Sequence, residues 1–211
     1  PLRLGKYHAI ALVGRGGMAN VHLAVAGGVA GFSKLLVVKT LRAELAMDPD
    51  IVAMFLDEAR LAARLEHPNI VHTFEFAEEG GTYYLAMEHL DGQPLDRVIA
   101  RVGRASALEP AIALSIIRDV LAALHHAHGL AAHDGTPLSV VHRDVSPQNV
   151  FITYSGLVKL VDFGIAKVDD GSVETRIGTF KGKVAYMAPE QALGDHVDRR
   201  ADVFACGVVL H

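Results

Sequence analysis

The chain has 211 residues, 51% of them hydrophobic, and a formal net charge of -4. That is enough apolar material for a sizeable core in one two-lobed domain or two small ones. The balance excludes a basic footprint for nucleic acid and a charge run long enough for a disordered tail or a membrane-binding patch.

Cys206 is the only cysteine, so no internal disulfide can form, and its apolar surroundings predict a buried structural thiol. No apolar run approaches the roughly 18 residues that cross a bilayer, and the N-terminus lacks the basic and apolar regions of a signal peptide. The expectation is a cytoplasmic protein without a membrane segment in this chain, with an anchor in a longer parent left open. His211 falls inside an apolar segment with no helix stop signal, which reads as a domain truncated at its C-terminus.

In chain order, Tyr7 to about Val13 suits a strand, and V-H-L-A-V from Val21 suits another. G-R-G-G-M-A-N-V, Gly14 to Val21, joins them. A strand on each side makes this a hairpin; a dinucleotide-binding fold would place a helix after the glycines and a ribose-binding acid about 20 residues on. A plain turn and a glycine loop that admits phosphates to backbone N–H groups both fit. L-L-V-V-K-T, Leu35 to Thr40, reads as a buried strand that carries Lys39. A lysine reaching from a strand end to water would explain it, but the next segment offers a partner.

Between Asp50 and Glu66, Ile51, Met54, Phe55, Leu61, Ala62 and Leu65 mark one face of a helix, with Asp48 or Asp50 as its cap. Glu58 falls within that stripe, where a carboxylate is costly unless paired, and Lys39 is its natural partner. His67-Pro68-Asn69 ends the helix. Two strand-like runs, Ile70 to Phe76 and Thr82 to Glu88, then flank an E-E-G-G turn, and Asp91-Gly92 marks the boundary between a first domain, 1–91, and a second, 92–211.

A short helix is predicted from about Pro94 to Arg101. A long one follows from Ala107 to Gly129, with Ala113, Ile117, Leu121, Leu124 and His128 inward and Gly129 closing it. His125, His126, His128 and His133 do not read as a metal site, because His125 and His126 face different ways and no cysteine or acidic cluster completes one. The A-A-H-D-G-T-P-L-S stretch that follows suggests no function. In V-H-R-D-V-S-P-Q-N-V, Asp144 and Asn149 stand five residues apart in a loop, one able to take a proton and the other to hold a metal. A charged surface loop with a capping asparagine is the plain alternative. A hairpin, Val150 to Thr153 with Val158 to Val161, delivers Asp162-Phe163-Gly164; Ala188-Pro189-Glu190 and D-R-R-A-D-V-F-A-C-G-V-V-L close the chain.

Taken together, these motifs resemble the catalytic domain of eukaryotic-like, bacterial Hanks-type serine/threonine protein kinases over nearly the whole chain, Gly14 to Asp202. The resemblance implies an α+β, bilobal protein-kinase-like fold: a small antiparallel-sheet lobe with one helix, and an incomplete, mainly helical large lobe, with ATP between them. It implies ATP-dependent transfer of the γ-phosphoryl group to serine or threonine hydroxyls of protein substrates, with Mg2+. Asp144 would position and deprotonate the hydroxyl, Asn149 and Asp162 would hold the metal, and Gly14, Gly16 and Gly17 would cover the phosphates. Lys39, oriented by Glu58, would bind them. By the same resemblance Met87 backs the adenine pocket, Glu88, His89 and Leu90 form the hinge, and Val21, Val37 and Phe151 are apolar walls. His142 and Phe163 would stack, Asp202 would tie down the loop backbone, and Thr175 or Thr179 would be autophosphorylated.

Three positions depart from the family pattern. Ala19 replaces a glycine, a small change. Ser146 stands where these kinases carry lysine, and Lys183, in G-K-V-A-Y, where they carry threonine. If the ammonium and the hydroxyl have exchanged places across the Asp144 carboxylate, both residues are catalytic and the charge at the site is kept. Otherwise Lys183 is solvated and Ser146 caps the turn before Pro147. The rival reading of the whole chain is a nucleotide-binding pseudokinase scaffold or an inactive fragment.

Overall fold

Two-residue alternation in the first half of the chain produces strands whose two faces do different things. In the structure, a computed structural model that describes residues 2–28, 31, 33–103, 108–132, 134–163 and 184–211, six strands form one antiparallel sheet. They are β1 (Arg3–Leu4), β2 (Tyr7–Arg15), β3 (Ala19–Gly27), β4 (Ser33–Leu41), β5 (Thr73–Glu79) and β6 (Thr82–Glu88), in the order β1-β2-β3-β4-β6-β5. Leu36 and Val38 of β4 pack inward with Leu4, Tyr7, Ala24, Tyr84 and Ala86. Val37 and Lys39 therefore project from the opposite face. The sheet curls until its outer strands are tied across: Tyr7 Oη donates to Glu75 at 2.6 Å, Lys6 pairs with Glu75 at 2.7 Å, and the Gly5 N–H donates to Glu79. Gly80 and Gly81 both have positive φ, 57° and 77°, the geometry of the tight hairpin turn between β5 and β6.

Helix α1 (Pro49–Ala62) begins where Asp48 accepts the N–H groups of Asp50 and Ile51, with Pro49 in the first turn. Its buried residues Ile51, Met54, Phe55, Glu58 and Ala59 form one stripe. The helix ends at Ala62, four residues before the expected Glu66. The cause is long-range: Leu160 N–H donates to Asn69 C=O at 2.8 Å, Val71 N–H to Leu160 C=O at 3.0 Å, and Asn69 Nδ2 to Val158 C=O at 2.9 Å. The chain accordingly divides into two units, Pro1–Arg64 with His72–His89, and Leu65–Val71 with Leu90–His211.

The second unit holds a three-stranded antiparallel sheet, β7 (Gly92–Pro94), β8 (Val150–Thr153) and β9 (Val158–Leu160), in that order. The sequence reading has no counterpart for β7. It requires its glycine, because a Cβ at Gly92 would collide with the Ile152 carbonyl. The helices are α2 (Leu95–Val102), α3 (Pro110–His128), α4 (Pro189–Leu193) and α5 (Arg200–Leu210). Along α3 the buried residues are Ile116, Ile117, Val120, Ala123, Leu124 and Ala127. The expected stripe was rotated: Leu121 is exposed and Ala113 only half-buried. After α3, Ala131 bridges to Pro137 and the Leu138 N–H donates to the Leu130 carbonyl at 2.9 Å. Helix α5 buries Ala201, Asp202, Ala205 and Cys206, and burial pushes the Cys206 thiol up to about 12, the environment of an inert structural cysteine. Among the described residues no helix is long and apolar enough to cross a membrane.

Candidate active site

In the first unit the pleat of β4 and the helical period of α1 bring together the two charges that the sequence singled out. Lys39 Nζ lies 2.6 Å from Glu58 Oε1, and both residues are at least nine-tenths buried. Each charge removes the desolvation cost of leaving the other unpaired. Strand register gathers the neighbouring residues on the same face: Val21 lies opposite Lys39, and Val37 opposite Met87. Glu88 follows, its carboxylate accepting the His72 N–H at 2.8 Å. Gly14 lies in β2 opposite Val21. Gly16 closes the β2–β3 turn, its N–H donating to Ala19 C=O at 2.8 Å. Arg42, which the sequence reading passed over, holds the same turn through Nη1 on the Gly17 carbonyl at 2.9 Å.

In the second unit the loop from His142 to Asn149 has almost no regular structure, yet the polar groups around Asp144 are engaged. Asn149 Nδ2 donates to both the carbonyl and the carboxylate of Asp144, at 2.8 and 2.9 Å. The Asp202 carboxylate, 1% exposed, accepts the N–H of His142 through Oδ2 and that of Arg143 through Oδ1, each at 2.8 Å. His128 Nε2 lies 2.7 Å from the same Oδ2. The helical pattern placed His128 inward, and the family resemblance made it a packing residue; its bond to a buried carboxylate goes beyond packing. His142 accepts the Asp144 N–H on Nδ1 at 3.2 Å, so its proton sits on Nε2, facing the Val161 carbonyl at 3.2 Å. Val161 N–H in turn donates to Asn149 C=O at 2.9 Å, which fixes the residue before Asp162.

Arg143 and Asp162 both have left-handed backbones, φ 63° and 53°. A non-glycine residue held there costs on the order of 1–3 kcal/mol and persists only where its surroundings over-determine it. The His142 and Phe163 rings are in contact with centroids 4.5 Å apart, but tilted by 45° rather than stacked as expected. Phe151 lies in β8 opposite Lys159, and Leu90 opens the second stretch of this unit. Ser146 is 1% exposed, and its hydroxyl has no hydrogen-bond partner among the described residues, so it does not cap the turn. Lys183, Thr175, Thr179 and Gly164 lie outside the described residues. Of the histidines, His126 lies against the His67 ring, tilted by 32° with centroids 5.3 Å apart, and His125 is exposed.

The family model for the protein kinase domain matches residues 7–211. Among curated proteins, the chain is 47% identical to the tyrosine-protein kinase MasK of Myxococcus xanthus, over 98% of this chain and 32% of that protein. It is 35% identical to the serine/threonine-protein kinase PrkC of Bacillus subtilis, over 98% of this chain and 30% of that protein. The chain thus spans about a third of the length of these relatives. Among solved structures, the PknI kinase domain of Mycobacterium tuberculosis superposes with a TM-score of 0.73 at 28% identity, over 99% of this chain and 74% of the other.

The His142 ring is fully enclosed, and burial lowers its pKa from the ordinary 6.5 despite the nearby carboxylates of Asp202 and Asp144. The unfolded chain therefore takes up this proton at a higher pH than the folded one. The stability tied to neutral His142 is present above about pH 6.5 and is lost as the pH falls towards the lowered folded value. His67 and His22 shift in the same direction, each through burial. Urea unfolding between pH 7.5 and 5.5 should show stability falling with acidification, by up to about 1.4 kcal/mol per pH unit from His142. A flat profile would contradict a neutral His142.

Proposed function

The chain belongs to the protein kinase family, whose function is ATP-dependent phosphoryl transfer, and from that premise we propose that this chain transfers the γ-phosphoryl group of ATP to serine and threonine hydroxyls of protein substrates. The observation that carries the reading is the bond from Asn149 Nδ2 to the Asp144 carboxylate. It aims a carboxylate whose backbone is already held by His142 and Asn149. Asp144 would accept the proton of the incoming hydroxyl as its oxygen attacks phosphorus, the work of a positioned general base.

In the first unit, Lys39, steadied by Glu58, would bind phosphate oxygens. The turn at Gly14, Gly16 and Gly17 would lie over them, with Val21, Val37 and Met87 against the adenine. Glu88 would present backbone groups to its edge; in the second unit Leu90 and Phe151 are the residues that the family resemblance assigns to the nucleotide. Mg2+ would be held by Asn149 and Asp162. The donor set fits: with Nδ2 turned to Asp144, the Asn149 amide keeps its oxygen on the other side as a hard donor, and Asp162 supplies a carboxylate. When bound, the metal would neutralise phosphate charge. A cytoplasmic setting, where ATP is available, follows from this reading.

The test is transfer from ATP to a generic protein substrate. Wild type should label serine and threonine, with Thr175 or Thr179 among its own modified sites by mass spectrometry. Phosphate confined to tyrosine would move the chain to the specificity in the name of the Myxococcus relative. Asp144→Asn should lower kcat by about 10²–10⁴-fold, and Lys39→Ala should depress transfer at subsaturating ATP. Wild-type rates in both variants would refute the assignment, and an inert wild type that still binds ATP would favour the scaffold.

The exchange of Ser146 and Lys183 is part of the proposal. The Ser146 hydroxyl makes no turn-capping bond, which removes the plain alternative for that residue, and it makes none to Asp144 either, so the exchange is carried by the two departures in the sequence. Loss of a cation beside a developing phosphoryl charge costs about 3 kcal/mol or more by analogy with lost electrostatic donors. Lys183→Thr alone should therefore nearly abolish transfer, and Ser146→Lys with Lys183→Thr should recover a good part of it, a non-additivity that independent sites do not show. Full kcat in Lys183→Thr would sink the exchange.

A further inference from the structure

Gln191 immediately follows the A-P-E motif and occupies the first turn of α4. Its amide is bidentate. Oε1 accepts the N–H of Ala188 at 3.1 Å, and Nε2 donates to the carbonyl of Arg143 at 3.0 Å, across 48 residues of sequence. That carbonyl belongs to the peptide whose nitrogen is Asp144 N, and Arg143 itself has φ 63°. The orientation of this peptide plane sets the direction in which the Asp144 side chain leaves the backbone. The groups on either side are held as well: Asp202 accepts the N–H of His142 and of Arg143, His142 Nδ1 accepts the N–H of Asp144, and Asn149 Nδ2 donates to the Asp144 carbonyl. Gln191 holds the Arg143 carbonyl between them.

We propose that Gln191 is a positioning residue for phosphoryl transfer. Its amide fixes the peptide between Arg143 and Asp144 and so makes the aim of the Asp144 carboxylate depend on the placement of α4 and the A-P-E residues. The inference rests on the reading of Asp144 as the base. Glutamine suits the task because one end of its amide accepts and the other donates. A glutamate at 191 would still accept from Ala188 but would set a carboxylate oxygen against the Arg143 carbonyl oxygen. A methionine would keep the length and lose both bonds.

The test compares steady-state kinetics of the full chain with Gln191→Glu and Gln191→Met, each checked for folding by its unfolding midpoint. Misaim of a general base by a fraction of an ångström to an ångström should appear as a kcat lowered on the order of tenfold to a hundredfold in both variants. KM for ATP should stay within about twofold, since no phosphate ligand is changed. A helix cap alone would give a different pattern, with Met impaired in stability and Glu unimpaired in rate. Wild-type kcat in either folded variant overturns the proposal. If wild type itself transfers no phosphate, the functional reading has failed; if wild type transfers and the variants match it, only the positioning inference has.

Discussion

The buried carboxylate of Asp202 is the interaction on which the second unit depends. It satisfies two consecutive backbone N–H groups of a loop that has no ladder or helix to satisfy them, and it takes a third contact from His128 at the end of α3. A buried N–H without an acceptor costs about 1–3 kcal/mol, so an irregular loop can be buried only if side chains do what secondary structure does elsewhere. With Asp202 in place Arg143 can hold a left-handed backbone, His142 can turn Nδ1 to the Asp144 N–H, and Asn149 can reach Asp144 twice. The loop backbone at His142, Arg143 and Asp144 is held by these side chains rather than by a ladder or a helix.

The first unit uses a different device. Its charged pair, Lys39 with Glu58, joins a strand to a helix 19 residues on, and the two burials require each other. The curled sheet supplies the rigid platform: Leu36 and Val38 lock β4 into the inner core, which leaves Val37 and Lys39 no choice of face. Core residues and residues of the opposite face thus alternate along a single strand.

What the sequence revealed follows the same physics. Glu58 was legible because one charge in an apolar stripe demands a partner, and the loop from His142 to Asn149 was legible because its residue types are chemically specific. The register of α3 was not, since that helix is apolar on too many sides for one stripe to stand out; Ile116 and Val120 displaced Leu121. The end of α1 was misplaced because residues 69–71 pair with Leu160, a contact no local pattern records. Arg42 and Gln191 were missed for a shared reason: both act on backbone carbonyls, and such targets leave no signature in the residue types around them.

The central claim, that one buried carboxylate organises the loop carrying Asp144, the proposed base, is tested most directly by Asp202→Asn. The change keeps the volume but leaves one acceptor oxygen. Whichever way the amide turns, its NH2 faces either the Arg143 N–H, or the His142 N–H and His128. The measurement is kcat for phosphoryl transfer in a variant shown to be folded by its unfolding midpoint. The account predicts a fall of an order of magnitude or more, about 1.4 kcal/mol in the barrier at the least. A folded Asp202→Asn protein with the wild-type kcat would contradict it.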